Sequence, residues 1–138
     1  MFRWLQHIGS AKPRDLGRKG EAVAARFLRR AGYKIVARQR RTRPGELDLV
    51  AVDGRTIVFV EVKTRRSHGA GHPAEAVDRR KQQRIASAAI AFLKGHGLLD
   101  YPARFDIVAV TWQPQRRRPV IEHYPAAFEA PLRGDLYS

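Results

Sequence analysis

The chain has 138 residues, 43% of them hydrophobic and 29% charged, which is typical of one globular domain and excludes a disordered or fibrous protein. It has no cysteine, so disulfides, thiolate metal sites and cysteine nucleophiles are excluded. Lys and Arg number 27 against 13 Asp and Glu, a formal charge of +14, which favours a polyanion such as nucleic acid as partner. A basic protein from an Arg-rich proteome is the alternative explanation.

The N-terminal residues lack the continuous apolar segment of a secretion signal, and no apolar run approaches the ~20 residues of a membrane span. The sequence therefore predicts a cytoplasmic protein with no membrane insertion. We divide the chain into a flexible basic N-terminal segment (residues 1–14), a single domain (15–124) and a C-terminal tail (125–138).

The first predicted elements are a helix and three strands. Apolar residues recur at helical spacing over residues 16–31, and Gly32 follows as a stop signal. A short strand is predicted at 33–37, and the basic stretch 38–43 predicts a solvated loop or phosphate contacts. Residues 46–52 and 56–63 are β-prone and flank Asp53-Gly54, a pattern that indicates a hairpin.

A second helix is predicted over residues 73–94, with Pro73 in its first turn and Gly95 at its end. A strand at 105–110, a Pro- and Arg-rich loop at 113–119 and an edge strand at 120–124 complete the chain order. The order αβββαβ, with a final strand, predicts an α/β fold in which helices flank a mixed central sheet.

The hairpin turn determines which side chains share a face of the sheet. A two-residue turn at Asp53-Gly54 puts Asp48 opposite Phe59. Strand side chains alternate between faces, so this register gathers four charged groups on one face. They are Glu46, Asp48, Glu61 and Lys63.

In this register Asp48 and Glu61 are diagonal neighbours, ~7–8 Å apart, whose carboxylates could share one cation. Oxygen ligands favour hard cations, so Mg²⁺ or Mn²⁺ is expected, with Glu46 as a third ligand. An ordinary half-exposed strand is the alternative reading of the alternating residues 46–49. Against it, residues 57–60 and 62 are apolar on both faces, as in a central strand covered on both sides.

Two motifs carry a resemblance to a known family. Gly-Glu-Leu-Asp-Leu at 45–49 and Phe-Val-Glu-Val-Lys-Thr-Arg at 59–65 resemble the YraN family of small bacterial proteins, within the PD-(D/E)XK nuclease superfamily. Gly20-Glu21, residues 71–77 and Lys81 also resemble the family pattern, and the likeness extends roughly from residue 17 to 110. It implies a restriction-endonuclease-like αβββαβ core similar to Holliday-junction resolvases, in a single nuclease-like domain.

The resemblance also implies roles for individual residues. Carboxylates matching Asp48 and Glu61 hold a divalent ion, Lys63 matches the motif lysine, and Glu21 matches an acidic residue of the first helix. We therefore expect metal-dependent hydrolysis of phosphodiester bonds, in DNA rather than RNA, linked to recombination, repair or DNA uptake. Whether the protein forms a homodimer, as resolvases do, is left open.

Two other classes compete with a nuclease: a non-catalytic accessory protein that binds nucleic acid, and an RNA-binding or ribosome-associated basic protein. The expected nucleic-acid contacts are Arg38, Arg40, Arg41, Arg43, Lys81 and Arg84. Lys81 interrupts the apolar row of the second helix and has two readings. Either its aliphatic stem lies along the core, or its ammonium points to the carboxylates or to a phosphate.

Overall fold

The computed structural model describes residues 13–66, 72, 75 and 77–129. Its elements are α1 (Pro13–Arg30), β1 (Lys34–Arg41), β2 (Glu46–Asp53), β3 (Thr56–Arg65), α2 (Arg79–Gly95), β4 (Ala103–Thr111) and β5 (Val120–Phe128). The order αβββαβ with a final strand, predicted from the sequence, is confirmed. The fold is mixed α/β and matches the restriction-endonuclease-like arrangement.

The five strands form one sheet in the order β1-β2-β3-β4-β5. Neighbouring strands are antiparallel except β3 and β4, which are parallel. Parallel neighbours need a crossover connection, and α2 lies in the connection between these two strands. β3, the third of the five strands, is the central strand of the sheet.

The core lies on both faces of the sheet. On one face α2 packs through Ile85, Phe92 and Leu93 against a cluster that includes Phe59 and Ile107. The ring centroids of Phe59 and Phe92 lie 6.0 Å apart in an edge-on contact. Burial of this kind stabilises by roughly 1.5–3 kcal/mol per large apolar side chain.

On the other face α1 packs through Leu28 against a cluster that includes Leu49, Val58 and Val108. Helices on both faces explain why β3 is apolar in consecutive positions. Neither helix that the structure describes is long and apolar enough to cross a membrane.

The hairpin turn lies one residue later than the sequence suggested. Asp53 pairs with Thr56 and Val50 with Phe59, so the predicted pairing of Asp48 with Phe59 is wrong. Gly54, with φ of 63°, is the first central residue of the turn, where hairpins with primed turns require positive φ. Because the register shifts by two positions, an even number, Asp48 and Glu61 are still expected on one face.

The start of the second helix was also predicted wrongly. α2 begins at Arg79, because the Asp78 side chain accepts a hydrogen bond from the Lys81 backbone N–H at 2.9 Å and caps the helix there. Val77, predicted on the helix face, is buried in the core just before the cap. Pro73 lies outside the described residues.

The basic stretch predicted as a loop is largely strand, since β1 reaches Arg41 and pairs with β2 along its length. β1 is at the edge of the sheet, where side chains are exposed to solvent, so a strand rich in charged residues can still pair with β2. At the other edge β5 runs to Phe128, so the predicted tail from residue 125 begins too early. The ring of Phe128 stacks on Phe105 at 5.1 Å.

Candidate active site

A carboxylate pair lies at the end of the β2–β3 ladder. The recorded pairing of these strands ends at Leu49 and Val60. Just beyond it, the backbone N–H of Val62 donates to Oδ2 of Asp48 at 2.9 Å. A side chain thus takes the place of a ladder partner, which fixes the Asp48 carboxylate beside the backbone of β3.

Glu61 lies on β3 next to this contact, and the residue is only 9% exposed. Its Oε1 lies 2.8 Å from Nζ of Lys81, which reaches it from the first turn of α2. The ammonium of Lys81 therefore points to the carboxylates, the second of the two geometries considered from the sequence. Lys63 lies two residues beyond Glu61 on the same strand, half-buried beside Ala109 of β4.

The electrostatic surroundings of Asp48 are unfavourable for an isolated carboxylate. Burial is the largest cause that raises its pKa, followed by the negative charge of Glu61 and, more weakly, that of Glu21. The hydrogen bond from Val62 lowers it, but the pKa still rises to about 8. A bound cation would offset this cost, because an opposite charge favours the ionised carboxylate.

Glu21 approaches the pair from α1. Burial raises its pKa, a hydrogen bond with Gln39 lowers it, and the charges of Glu46 and Glu61 raise it further. Its Oε1 is buried and has no hydrogen-bond partner among the described residues. A buried unpaired oxygen costs free energy unless another group satisfies it.

Close packing of α1 on β3 brings Glu21 to this position. Gly20 lies against Thr64, whose hydroxyl occupies the space that any Cβ at position 20 would need. A glycine inside an amphipathic helix is the sequence signal of such a close approach. The contribution of Gln39, which has a φ of 48°, had no comparable signal in the sequence.

Glu46 acts on the charge of Glu21 but is not among the groups that shift the pKa of Asp48. It lies at the start of β2, and its Oε2 is 3.9 Å from Nε of Arg41 on the exposed edge. Within the described ranges, no three His, Cys, Asp or Glu side chains come together as a metal-binding group. The predicted convergence of three carboxylates from one hairpin is therefore wrong, because Glu46 pairs towards β1.

The donors that do come together fit a hard divalent cation by their chemistry. Mg²⁺ is commonly bound through one or two carboxylates and keeps several waters. Asp48 and Glu61 would supply these carboxylates, whereas the charge of Glu21 acts on Asp48 but Glu21 does not complete a group of three with them among the described residues. Nitrogen and sulfur ligands, which zinc prefers, are absent from this set of donors.

Basic side chains flank this end of the sheet. Arg38 and Arg40 lie on β1 opposite Leu49 and Leu47, on either side of Asp48. The turn after β1 packs against α2, since a Cβ at Gly45 would lie 3.3 Å from the backbone oxygen of Arg84. Five of the six predicted nucleic-acid contacts are exposed: Arg38, Arg40, Arg41, Arg43 and Arg84. The sixth, Lys81, is half-buried and pairs with Glu61.

Comparison with known proteins identifies the family. The family model described as uncharacterised protein family UPF0102 matches residues 20–110, which include the carboxylates and Lys81. A UPF0102 protein of Geobacter sulfurreducens is 50% identical over 122 residues, covering 88% of this chain and 94% of its own length. UPF0102 proteins of Rhodopirellula baltica and Nocardia farcinica are 49% identical over 119 residues and 53% identical over 113 residues. These alignments cover 84% and 82% of this chain, and 71% and 88% of the relatives. The family resemblance of the sequence motifs is thereby confirmed, and the chain belongs to the UPF0102 family.

Proposed function

We propose that the protein is a metal-dependent nuclease of the PD-(D/E)XK superfamily that hydrolyses phosphodiester bonds in DNA. The observation that carries the proposal is the pair of adjacent carboxylates at the end of a ladder between two central strands, where Glu61 is buried and Asp48 is half-buried. Such a pair raises the pKa of one member and needs a cation to ionise fully. Strongly perturbed carboxylates of this kind cluster at functional sites.

Asp48 and Glu61 would hold Mg²⁺ or Mn²⁺, which when bound polarises a phosphate oxygen and lowers the pKa of a water. The Val62 N–H orients the Asp48 carboxylate, so its position does not depend on the cation. Lys81 pairs with Glu61 and offsets its negative charge. Among the described residues Asp48 has no such partner, so its ionised form is the less stable of the two. Lys63, on the same face, would position the attacking water or offset negative charge that develops on the phosphate.

The exposed arginines on β1 and beside α2 would bind the DNA backbone without reading its sequence. If ~5 phosphates are contacted, log K falls with log salt at a slope of about −4 to −5. A nearly flat salt titration would contradict this picture.

Cleavage of branched and linear DNA by the wild type and by Asp48→Asn, with Mg²⁺ or Mn²⁺, tests the proposal. We expect the substitution to abolish cleavage and to leave DNA binding within about threefold, because the basic surface supplies the affinity. Asp100→Asn is the matched control, since Asp100 is an exposed turn carboxylate. Undiminished cleavage by folded Asp48→Asn protein would refute the assignment.

A non-catalytic accessory protein that binds nucleic acid is the second candidate. The observation in its favour is the short contact between Lys81 and Glu61, in which an ammonium already neutralises one of the two carboxylates. Calorimetric titration with Mn²⁺ separates the candidates: a nuclease binds the ion and Asp48→Asn weakens that binding. Retained DNA binding with no ion binding would favour the accessory protein, and a preference for RNA in competition would favour the RNA-binding class.

A further inference from the structure

A concave feature lies on the α2 face of the sheet, and none of the carboxylates of the candidate site lines it. It is an open cavity of about 480 Å³ between β1, the β2–β3 turn and the end of α2. Its floor is apolar and includes Val52, Ile57 and Phe92. A volume of this size is within the range of sites that bind small molecules or single nucleotides.

The rim of the cavity combines exposed apolar groups with an aromatic ring. Val36 and Tyr101, which are 45% and 42% exposed, are the exposed large hydrophobic residues of the described chain, and both line it. The guanidinium of Arg55 lies 5.6 Å from the ring centroid of Tyr101. A flat aromatic face and a cation are thus held together at the entrance.

The charge of the cavity is one-sided. The arginines Arg40 and Arg55 line it, and none of the described residues that line it is acidic. The His96 ring stacks on Phe92 at 4.2 Å, and its Nδ1 lies 2.9 Å from the Phe92 carbonyl oxygen, so this imidazole is held in place. An anionic ligand with a flat apolar part complements this lining, as a nucleotide does.

The cavity and the carboxylates share β3. Ile57 lines the cavity and Glu61 lies four residues further along the strand, about 13 Å away at the rise of a β-strand. That distance corresponds to about four stacked nucleotides at 3.4 Å each. Arg40 lies between the two places, because it lines the cavity and pairs with Leu47, next to Asp48.

We propose that this cavity binds an unpaired nucleotide of the nucleic-acid substrate, with its base against Tyr101 and the apolar floor and its phosphate at Arg40 and Arg55. The inference rests on the proposed function, because it takes nucleic acid as the substrate class. It specifies that class further: the substrate is DNA with a single-stranded segment beside the cleaved position. A blunt duplex would leave the cavity unused.

Fluorescence anisotropy in EDTA tests the proposal with the Asp48→Asn chain, so that binding is measured without cleavage. Three probes are compared: a blunt duplex, the same duplex with a thymidine overhang, and the same overhang made of abasic residues. We expect the thymidine overhang to bind about 5- to 150-fold more tightly than the abasic one, the range for stacking of one base on an aromatic side chain.

Substitutions in the Asp48→Asn chain assign that preference to the cavity. Tyr101→Ala should abolish the preference for thymidine over abasic residues, and Tyr101→Phe should retain it. Arg55→Ala should weaken binding of both overhangs. Arg30→Ala, which removes an exposed charge at the end of α1, is the matched control and should weaken all three probes slightly and equally. Thermal melts monitored by circular dichroism verify that each variant folds.

A thymidine preference that survives Tyr101→Ala would overturn the proposal, and so would equal binding of all three probes. A Tyr101→Ala variant that changes oligomeric state in sedimentation and leaves DNA binding intact would overturn it in favour of a second copy of the chain as occupant. The proposed nuclease function is tested by a different measurement, and absence of cleavage by the wild type would contradict it. The two results are therefore distinguishable.

Discussion

Two aspartates on opposite sides of the central strand have opposite surroundings. Asp48 on β2 and Asp106 on β4 both lie next to β3, where Val60 pairs with Leu49 on one side and with Asp106 on the other. Burial raises the pKa of Asp48, the Glu61 charge adds to it, and it reaches about 8. Burial alone would raise the pKa of Asp106. Hydrogen bonds from His123, Arg104 and Ala126 outweigh the effect of burial, so the pKa of Asp106 is lowered.

The two carboxylates differ most in the number of their hydrogen-bond donors. Asp106 is fully buried and accepts from Arg104 Nε at 3.0 Å, from His123 Nε2 at 2.8 Å and from the Ala126 N–H at 2.9 Å. Asp48 has one backbone donor and a neighbouring carboxylate. A buried charge whose hydrogen bonds are satisfied is typical of a structural role, whereas one without enough donors indicates a site for a ligand.

The largest effect is expected for Asp106→Asn. An amide can replace only one of the two carboxylate oxygens as acceptor, so donors of Arg104 or His123 at this buried position lose their acceptor, which costs about 3 kcal/mol of unfolding free energy. Urea denaturation at neutral pH measures the loss. Asp48→Asn, compared in the same buffer with EDTA, should be neutral or stabilising, because it removes a carboxyl group that must take up a proton on folding, and this uptake lowers the unfolding free energy at neutral pH. A comparable loss in both variants would remove the distinction between the two aspartates.

The pH dependence of stability should have opposite signs for the two aspartates. The folded pKa of Asp48 is about 8, against 3.8 for a free aspartate side chain, so between these values the unfolded state binds fewer protons than the folded one. Unfolding free energy should therefore fall as pH rises through this window, by up to about 1.4 kcal/mol per pH unit. The lowered pKa of Asp106 adds stability above 3.8 that is lost on further acidification.

A urea series from pH 3 to 9 in EDTA checks these slopes. Asp48→Asn should flatten the slope at higher pH, whereas Asp100→Asn, which removes an exposed carboxylate, should leave it unchanged. A slope that persists in Asp48→Asn would have to come from another group.

A smaller effect is expected for Gly20→Ala, which tests how Glu21 is held near the carboxylates. The new Cβ would overlap Thr64, and overpacking of this kind costs about 2 kcal/mol. Gly17→Ala is the control in the same helix, since open space surrounds Gly17 and the change should stabilise by roughly 0.5–1 kcal/mol. Thr64→Ala in the Gly20→Ala background should restore part of the loss. Equal effects of the two glycine substitutions would contradict the close approach.

The smallest effect is expected for Glu46→Gln. Glu46 contacts Arg41 at 3.9 Å on an exposed edge, and exposed ion pairs contribute at most about 1 kcal/mol. Binding of Mn²⁺, measured by calorimetry, should be unchanged. A strong loss of ion binding would return Glu46 to the set of ligands.

Individual residues show which features of the structure could be predicted from the sequence. The apolar run of β3 and the Asp-Gly signal were enough to predict adjacent strands with Asp48 and Glu61 on one face. The same signal misplaced the turn by one residue, because both Asp53-Gly54 and Gly54-Arg55 satisfy the requirement for positive φ at Gly54. The hydrogen bonds of Asp106 could not be predicted from the sequence, because two of its partners are on β5, seventeen and twenty residues later.

The sequence by itself determined the order of the elements, the two-sided burial of β3 and the pair of acidic residues at its end, because alternation and helical spacing are local properties of the chain. Only the tertiary structure decided that Lys81 contacts Glu61, that Glu46 contacts Arg41, and that the charge of Glu21 acts on Asp48. These placements depend on where α1 and α2 cross the sheet, which close contacts at Gly20 and Gly45 decide. Packing between distant segments leaves no periodic signal in the sequence.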